Sequence, residues 1–398
     1  MYAFWHRRRL EASSPQGAGL KKGSIDVFVA WRELRFARGR FLLIAGVVGL
    51  ITVLVGFLSG LTGGLAQRNI SAVLQIPGDR VVLEQAEGEE PAYATSAITT
   101  DQLQAWNQAE GVDSALPIGI TTTRAGAAQQ DESPSDSSPA DSSSAVAAFG
   151  LPDAGDGKAT DLTKITPADD GHVGLSAPAA DELGVTTGET VTVAGKQLTV
   201  GVVEGDLWYS HVPVVVLSEE TWAEIDRGTG GDGAPTALAV SGTPDWETTG
   251  KQTNTVAKTP LTSLTALASF TSEIGSLAVM IVLLFGISAL VVGAFFTVWT
   301  LQRRGDIAVL KALGATTGSL IRDSLGQAAV VLVAGIGTGL LVTVVVGSLA
   351  GQALPFAVSA LTTVAPAALM AVLGLAGAAV ALRSVTKADP LTALGSNR

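Results

Sequence analysis

Apolar residues in this chain are gathered into long uninterrupted runs. Residues 41–65, 274–301 and 324–382 contain no Asp, Glu, Lys or Arg. About 20 apolar residues carry a helix across a bilayer's hydrocarbon core, so each of the first two runs predicts one span. The third is too long for one, and Gln352, Pro355 and Pro366 interrupt it. Four membrane helices are therefore expected, at 41–65, 272–301, 324–350 and 359–382, the last two joined by a short outward-facing turn.

Between the first and second spans the pattern changes to short alternating stretches. "DRVVLEQ" reads as a strand, and "ETVTV" and "KQLTVGVV" as a hairpin around Ala194 and Gly195. "VPVVVL" adds a further strand, and Asp181–Leu183 reads as a short helix closed by Gly184. The Ser/Asp/Pro-rich stretch 129–145 is too polar to pack and is expected to be a disordered loop. The expected fold class is thus a membrane α-helical protein of four transmembrane helices, with an α+β extracytoplasmic domain at 66–271. Residues 1–24 read as a flexible cytoplasmic tail. Residues 25–40 place apolar and basic residues at helical spacing; they suit an amphipathic helix in the membrane surface or a plain extension of the first span. Residues 302–323 read as a cytoplasmic coupling helix and 383–398 as a second cytoplasmic tail.

Charge sets the orientation. The formal net charge of −11 conceals an asymmetry, because residues 66–271 carry 9 Lys and Arg against 29 Asp and Glu. Basic residues flank the helix ends on one side: Arg32, Arg35, Arg38 and Arg40, then Arg303, Arg304, Lys311 and Arg322, then Arg383 and Lys387. Cytoplasmic loops carry such an excess, which predicts both termini inside, the acidic domain outside and a plasma-membrane location. Arg7–Arg9 have no apolar run directly behind them, so the first span is the expected insertion signal.

Catalytic patterns are scarce. No Gly-x-x-x-x-Gly-Lys-Ser/Thr loop is present, since Gly157-Lys158, Gly195-Lys196 and Gly250-Lys251 are followed by Ala, Gln and Gln; the chain cannot by itself cradle a nucleotide phosphate in that way. His-Glu-x-x-His and Gly-x-Ser-x-Gly are absent, the histidines are His6, His172 and His211, and there is no cysteine. The expectation is a protein that is not an enzyme, carries no metal or cofactor of its own and binds no nucleic acid.

Two features imply partners. Gly56, Gly60 and Gly64 repeat at i, i+4 and i+8 on the first span, where missing side chains let helices approach closely, either within the chain or against a second copy. Between the second and third spans, Ile307, Leu310 and Leu313 form an apolar stripe among Arg303, Arg304 and Lys311. Gly314 can end that short helix in a left-handed cap and Thr316 or Thr317 can start the next. A helix lying across the membrane surface and joined rigidly to two spans can receive a push from a cytoplasmic partner.

"RRGDIAVLKALGAT", the order of one span, a large domain and three spans, and the closing "KADPLTALG" resemble the FtsX/MacB-type permeases of ABC transporters, with Asp306 where many members have Glu. The resemblance implies a homodimer in membrane lipid, coupled to a separate ABC-type ATPase subunit that binds the ATP and docks under Arg303, Arg304, Ile307, Leu310, Lys311, Leu313 and Gly314. Residues 57–71, 209–217 and 268–302 look most similar to the haem-exporting (HrtB-like) and DevC-like permeases. That similarity implies efflux of an amphipathic, membrane-partitioned substrate, most closely haem, with Met280 and Glu273 as candidate iron ligands and Arg68 as partner of an anionic group. Met280 also suits a packing residue, Glu273 a solvated helix end and His211 a structural role. The alternative is FtsX-like mechanotransmission to an envelope hydrolase or lipoprotein, with nothing crossing the membrane.

Overall fold

The computed structural model describes residues 38–85, 88–128, 143–152, 159–302, 305, 309, 314, 316–351 and 354–386. Four long helices meet the length and composition of membrane spans. The first, α1, is Arg38–Ile70. A mixed domain follows: β1 Arg80–Glu84, α2 Thr100–Gln108, β2 Val112–Ala127, β3 Ser143–Leu151, α3 Asp161–Lys164, β4 His172–Leu175, α4 Ala177–Leu183, β5 Thr190–Val193, β6 Lys196–Val203, β7 Trp208–Tyr209, β8 Val212–Ser218, α5 Glu219–Gly228, β9 Ala237–Gly242, α6 Trp246–Thr253, β10 Thr255–Lys258 and α7 Pro260–Ser263. The remaining spans are α8 Ala268–Gln302, α9 Thr317–Ala350 and α10 Ala365–Thr386, the last preceded by a π turn at Ala360–Val364.

The strands run β10-β1-β9-β2-β3-β8-β4-β6-β5. Strand β2 organises them: Val112–Ile118 pairs with β9, Gly119–Gly126 with β3, and Ala125–Ala127 with β5. That last pairing closes β2, β3, β8, β4, β6 and β5 into a ring, which leaves none of those six with an open edge on the path. The β5–β6 loop is Ala194–Gly195 with φ of 49° and 86°, a two-residue turn whose twist suits a tight hairpin. Gly119 and Gly150 are register partners, and a Cβ on either would fall within 2.5 Å of Trp222. Their missing side chains make the bed for that indole, which is fully buried.

The described residues pack as two compact units. One draws on 38–53, 287–341 and 367–386, the other on 54–286 and 342–366, in each case as far as these residues are described. In the first unit, α1 and α9 meet through small residues. A Cβ on Gly335 would come within 2.9 Å of Val48, and one on Gly339 within 2.6 Å of Thr52. In the second unit Gly56, Gly60 and Gly64 face Thr343, Phe356 and the Pro355 carbonyl respectively. All three glycines thus pack inside the chain, where close backbone approach lets dispersion hold helices that hydrophobic burial cannot separate from lipid.

Several expected boundaries move. Helix α1 starts at Arg38 and runs to Ile70, so the last residues of the expected surface helix and the first of the expected domain belong to the span. Helix α8 likewise begins at Ala268 rather than 272. Helices can project beyond the hydrocarbon, where polar residues such as Gln67 and Ser269 do not stop them. Residues 143–145 lie in β3 rather than in a loop, because pairing with β2 holds them in the ladder; 129–142 lie outside the described residues. Residues 317–323 belong to α9, not to a separate coupling helix, with Thr316 as cap: its Oγ1 accepts from Ser319 N at 3.3 Å. The tails 1–24 and 387–398 lie outside the described residues.

Candidate functional site

The last turn of α1 leaves its final carbonyls without helical partners, and the β7–β8 hairpin supplies donors to two of them. Ser210 N donates to Asn69 O at 3.0 Å and His211 N to Arg68 O at 2.9 Å. Ser210 and His211 form the hairpin's two-residue loop, with φ of 50° and 70°. Positions with that backbone normally carry Gly, Asn or Asp, and other residues there cost on the order of 1 kcal/mol each. Nothing in "YSHV" announces the turn, so the sequence alone did not reveal this contact.

Side chains complete the cluster. Asn69 is fully buried. Its Oδ1 accepts from Ser269 Oγ at 2.8 Å, and Ser269 Oγ is 2.8 Å from Ser210 Oγ. Because Ser269 spends its proton on Asn69, it accepts from Ser210. His211 Nε2 is 2.9 Å from Glu273 Oε2, while Asn69 Nδ2 is 3.5 Å from the same oxygen and 3.4 Å from the imidazole nitrogen. With the carboxylate ionised, the 2.9 Å contact places a proton on Nε2, which then has no lone pair for Asn69. The amide therefore donates to Glu273, and one carboxylate oxygen takes both bonds. Leaving a buried amide such as Asn69 unsatisfied would cost about 1–3 kcal/mol. Three chain segments are thus tied at one point: the end of α1, the β7–β8 loop and the start of α8.

Beside it lies a crevice of about 150 Å³ lined by Gly64, Gln67, Arg68, Trp208, Pro355 and Phe356. The Arg68 guanidinium stands 4.7 Å over the Trp208 ring, a cation–π arrangement. Asp206 receives Gln67 Nε2 at 2.9 Å and Trp208 Nε1 at 2.6 Å. Drug-sized ligands fill pockets of about 300–1,000 Å³, so this crevice has room for a headgroup and not for a porphyrin.

The expected ligand pair is not assembled. Met280 and Glu273 are seven residues apart on one face of α8, but the Glu273 carboxylate is engaged by His211 and Asn69. Met280 is 47% exposed, among the outward Val279, Val282 and Leu283. Among the described residues no group of three or more His, Asp or Glu converges to hold a metal ion. The two tyrosines of the neighbouring core are unsuited to proton transfer near neutral pH. Burial pushes Tyr209 up to about 12 and raises Tyr93 further, though a bond from Tyr93 to Ser263 at 2.8 Å partly offsets it. Of the expected coupling residues, Arg303, Arg304, Ile307, Leu310, Lys311 and Leu313 lie outside the described ones. Gly314 has φ of 94°, the left-handed region that suits a helix end.

The arrangement of four spans and an inserted mixed domain invites comparison with known transporters. Residues 278–390 match the family model described as FtsX-like permease C-terminal. The C-terminal part of the chain is thus an FtsX-like permease domain. The chain is 26% identical over 373 residues to a Staphylococcus haemolyticus protein carrying the name hemin transport system permease protein HrtB, covering 92% of this chain and 99% of the relative. An uncharacterized ABC transporter permease of Mycobacterium tuberculosis, Rv2563, is 25% identical over 375 residues, covering 93% and 99%. The periplasmic region of MacB from Actinobacillus actinomycetemcomitans aligns at 12% identity with a TM-score of 0.31, covering 50% of this chain and 95% of that one. The four apolar helices and the permease domain make the chain a membrane protein with a large extracytoplasmic domain between its first two spans, and an ABC permease implies a separate ATPase subunit.

Proposed function

We propose that this permease couples ATP hydrolysis by its partner ATPase to export of an amphipathic, membrane-partitioned substrate, with haem first among the candidates. The observation that carries the reading is Met280, a thioether left 47% exposed on α8. That helix is the least covered of the four spans, with 11% of its apolar window buried. A flat hydrophobic cargo can reach such a face laterally from lipid, and a thioether is a suitable iron ligand. Similarity over most of the chain to a protein named for hemin transport supports the same reading. Glu273, seven residues away on the same face, keeps His211 and Asn69 as its partners, so Met280 is the ligand this chain supplies. Arg68 meets a carboxylate or phosphate at the crevice.

The working unit in this proposal is a homodimer in the plasma membrane, with both termini cytoplasmic. The ATPase docks under the 303–314 segment, whose basic and apolar residues suit a protein surface next to anionic lipid. No resident cofactor is needed. The test is deletion of the gene followed by growth on graded haemin. Increased sensitivity supports export. Normal growth on haemin with altered cell separation or wall turnover transfers the function to the second reading, force transmission to an envelope partner, which the three-way tie at Asn69 favours.

A further inference from the structure

We propose that Asn69, His211 and Glu273 are positioning residues that make the β7–β8 hairpin and the adjoining ends of α1 and α8 a single rigid joint. Whatever moves these helix ends then moves the extracytoplasmic domain without slack. The inference goes beyond the cargo reading and does not depend on it.

Three observations support it independently. The loop amides of Ser210 and His211 donate to two of the final carbonyls of α1, at 3.0 and 2.9 Å, so the hairpin is bonded to the helix backbone itself. The loop's two non-glycine residues both sit at positive φ, a backbone that persists when its surroundings over-determine it. Asn69 is fully buried, and its carbonyl and amide reach Ser269 and Glu273, both on α8, at 2.8 and 3.5 Å. A surface ion pair would slip, because exposed pairs contribute little. A buried amide cannot leave its partners without losing hydrogen bonds that water does not replace, and that makes the joint stiff. His211 closes it by spanning from the loop to Glu273 at 2.9 Å.

The chain has no cysteine, so introduced thiols report cleanly. In the full-length permease with its ATPase subunit in lipid vesicles, spin labels on Glu204→Cys and Ser276→Cys read the distance between the domain and α8. One narrow distance is expected with and without ATP. Glu273→Ala should broaden it, and Glu273→Gln, which keeps an acceptor oxygen at the same reach, should restore it; a role in mere folding would not produce that split. Asn69→Ala should broaden it as well, and His211→Ala serves if Asn69→Ala does not accumulate. The companion measurement joins the hairpin to α8 through a disulfide between Ser210→Cys and Ser269→Cys, whose parent hydroxyls are 2.8 Å apart. ATP turnover should be the same oxidised and reduced. Turnover lost on oxidation and regained on reduction would show a latch that opens and would overturn the joint, as would a narrow distance surviving in Glu273→Ala. Because none of these readouts involves haemin, failure of the cargo reading leaves them intact.

Discussion

Gly64 packs directly on Pro355: a Cβ at residue 64 would lie 2.0 Å from the Pro355 carbonyl oxygen. One turn earlier, a Cβ on Gly60 would lie 2.2 Å from the Phe356 ring. The two obstacles differ in kind, since a ring can rotate or be removed and a carbonyl within the chain cannot. Overpacking costs about 1–3 kcal/mol. Gly64→Ala should therefore lower thermal stability in detergent more than Gly60→Ala. Adding Phe356→Ala should recover Gly60→Ala and leave Gly64→Ala impaired. Equal recovery of both would show that the 355–357 backbone yields.

Met280 carries the cargo proposal, and its replacement tests it apart from folding. Met280→Ala should leave accumulation in the membrane unchanged, because the side chain is half exposed, yet shift haemin tolerance part of the way toward the deletion strain. Met280→Leu retains bulk without the sulfur. If Met280→Leu is fully active, the thioether is a packing group.

Coupling rests on the stripe between the second and third spans. Leu310→Asp should abolish stimulation of the co-purified ATPase while the permease still inserts, as judged by membrane fractionation. Unchanged stimulation would remove Leu310 from the docking surface.

Acid should weaken the extracytoplasmic domain through its carboxylates. Asp245 caps α6, accepting from Thr248 Oγ1 at 2.7 Å and Thr248 N at 3.1 Å, and these bonds hold its carboxyl below the usual range. Asp169 is lowered likewise by His172 and the Gly171 amide. A carboxylate lowered in the folded state contributes stability above its unfolded pKa and loses it as pH falls through the folded value. Melting followed by tryptophan fluorescence should thus stay flat down to about pH 5 and decline below it. Asp245→Ala should melt lower at neutral pH and converge with the native chain in acid. Glu219, raised by burial, acts in the opposite direction in both proteins and cancels in the comparison. Parallel curves across the whole range would assign the loss elsewhere.

Much of this architecture is local, and for that reason it could be read from residue order. Transfer of apolar residues into a bilayer is close to additive along a segment, so charge-free runs specify four spans and the placement of one domain. Alternation marks β5 and β6, a continuous apolar run marks β8, and Gly184 and Gly314 sit at positive φ where helix-ending patterns put them. The sequence also offered Gly56, Gly60 and Gly64 as a packing face. It could not say whether a second copy or this chain covers it, because that depends on how α1 is rotated against residues almost 300 positions later. The same holds for Asn69, His211 and Glu273. Their meeting requires the helices to continue past the expected span ends, a hairpin to turn at two residues with no turn signature, and one register of β7 against β8. Hydrophobicity is summed along the chain, whereas a hydrogen-bonded cluster depends on angles accumulated across it; only the folded structure fixes those.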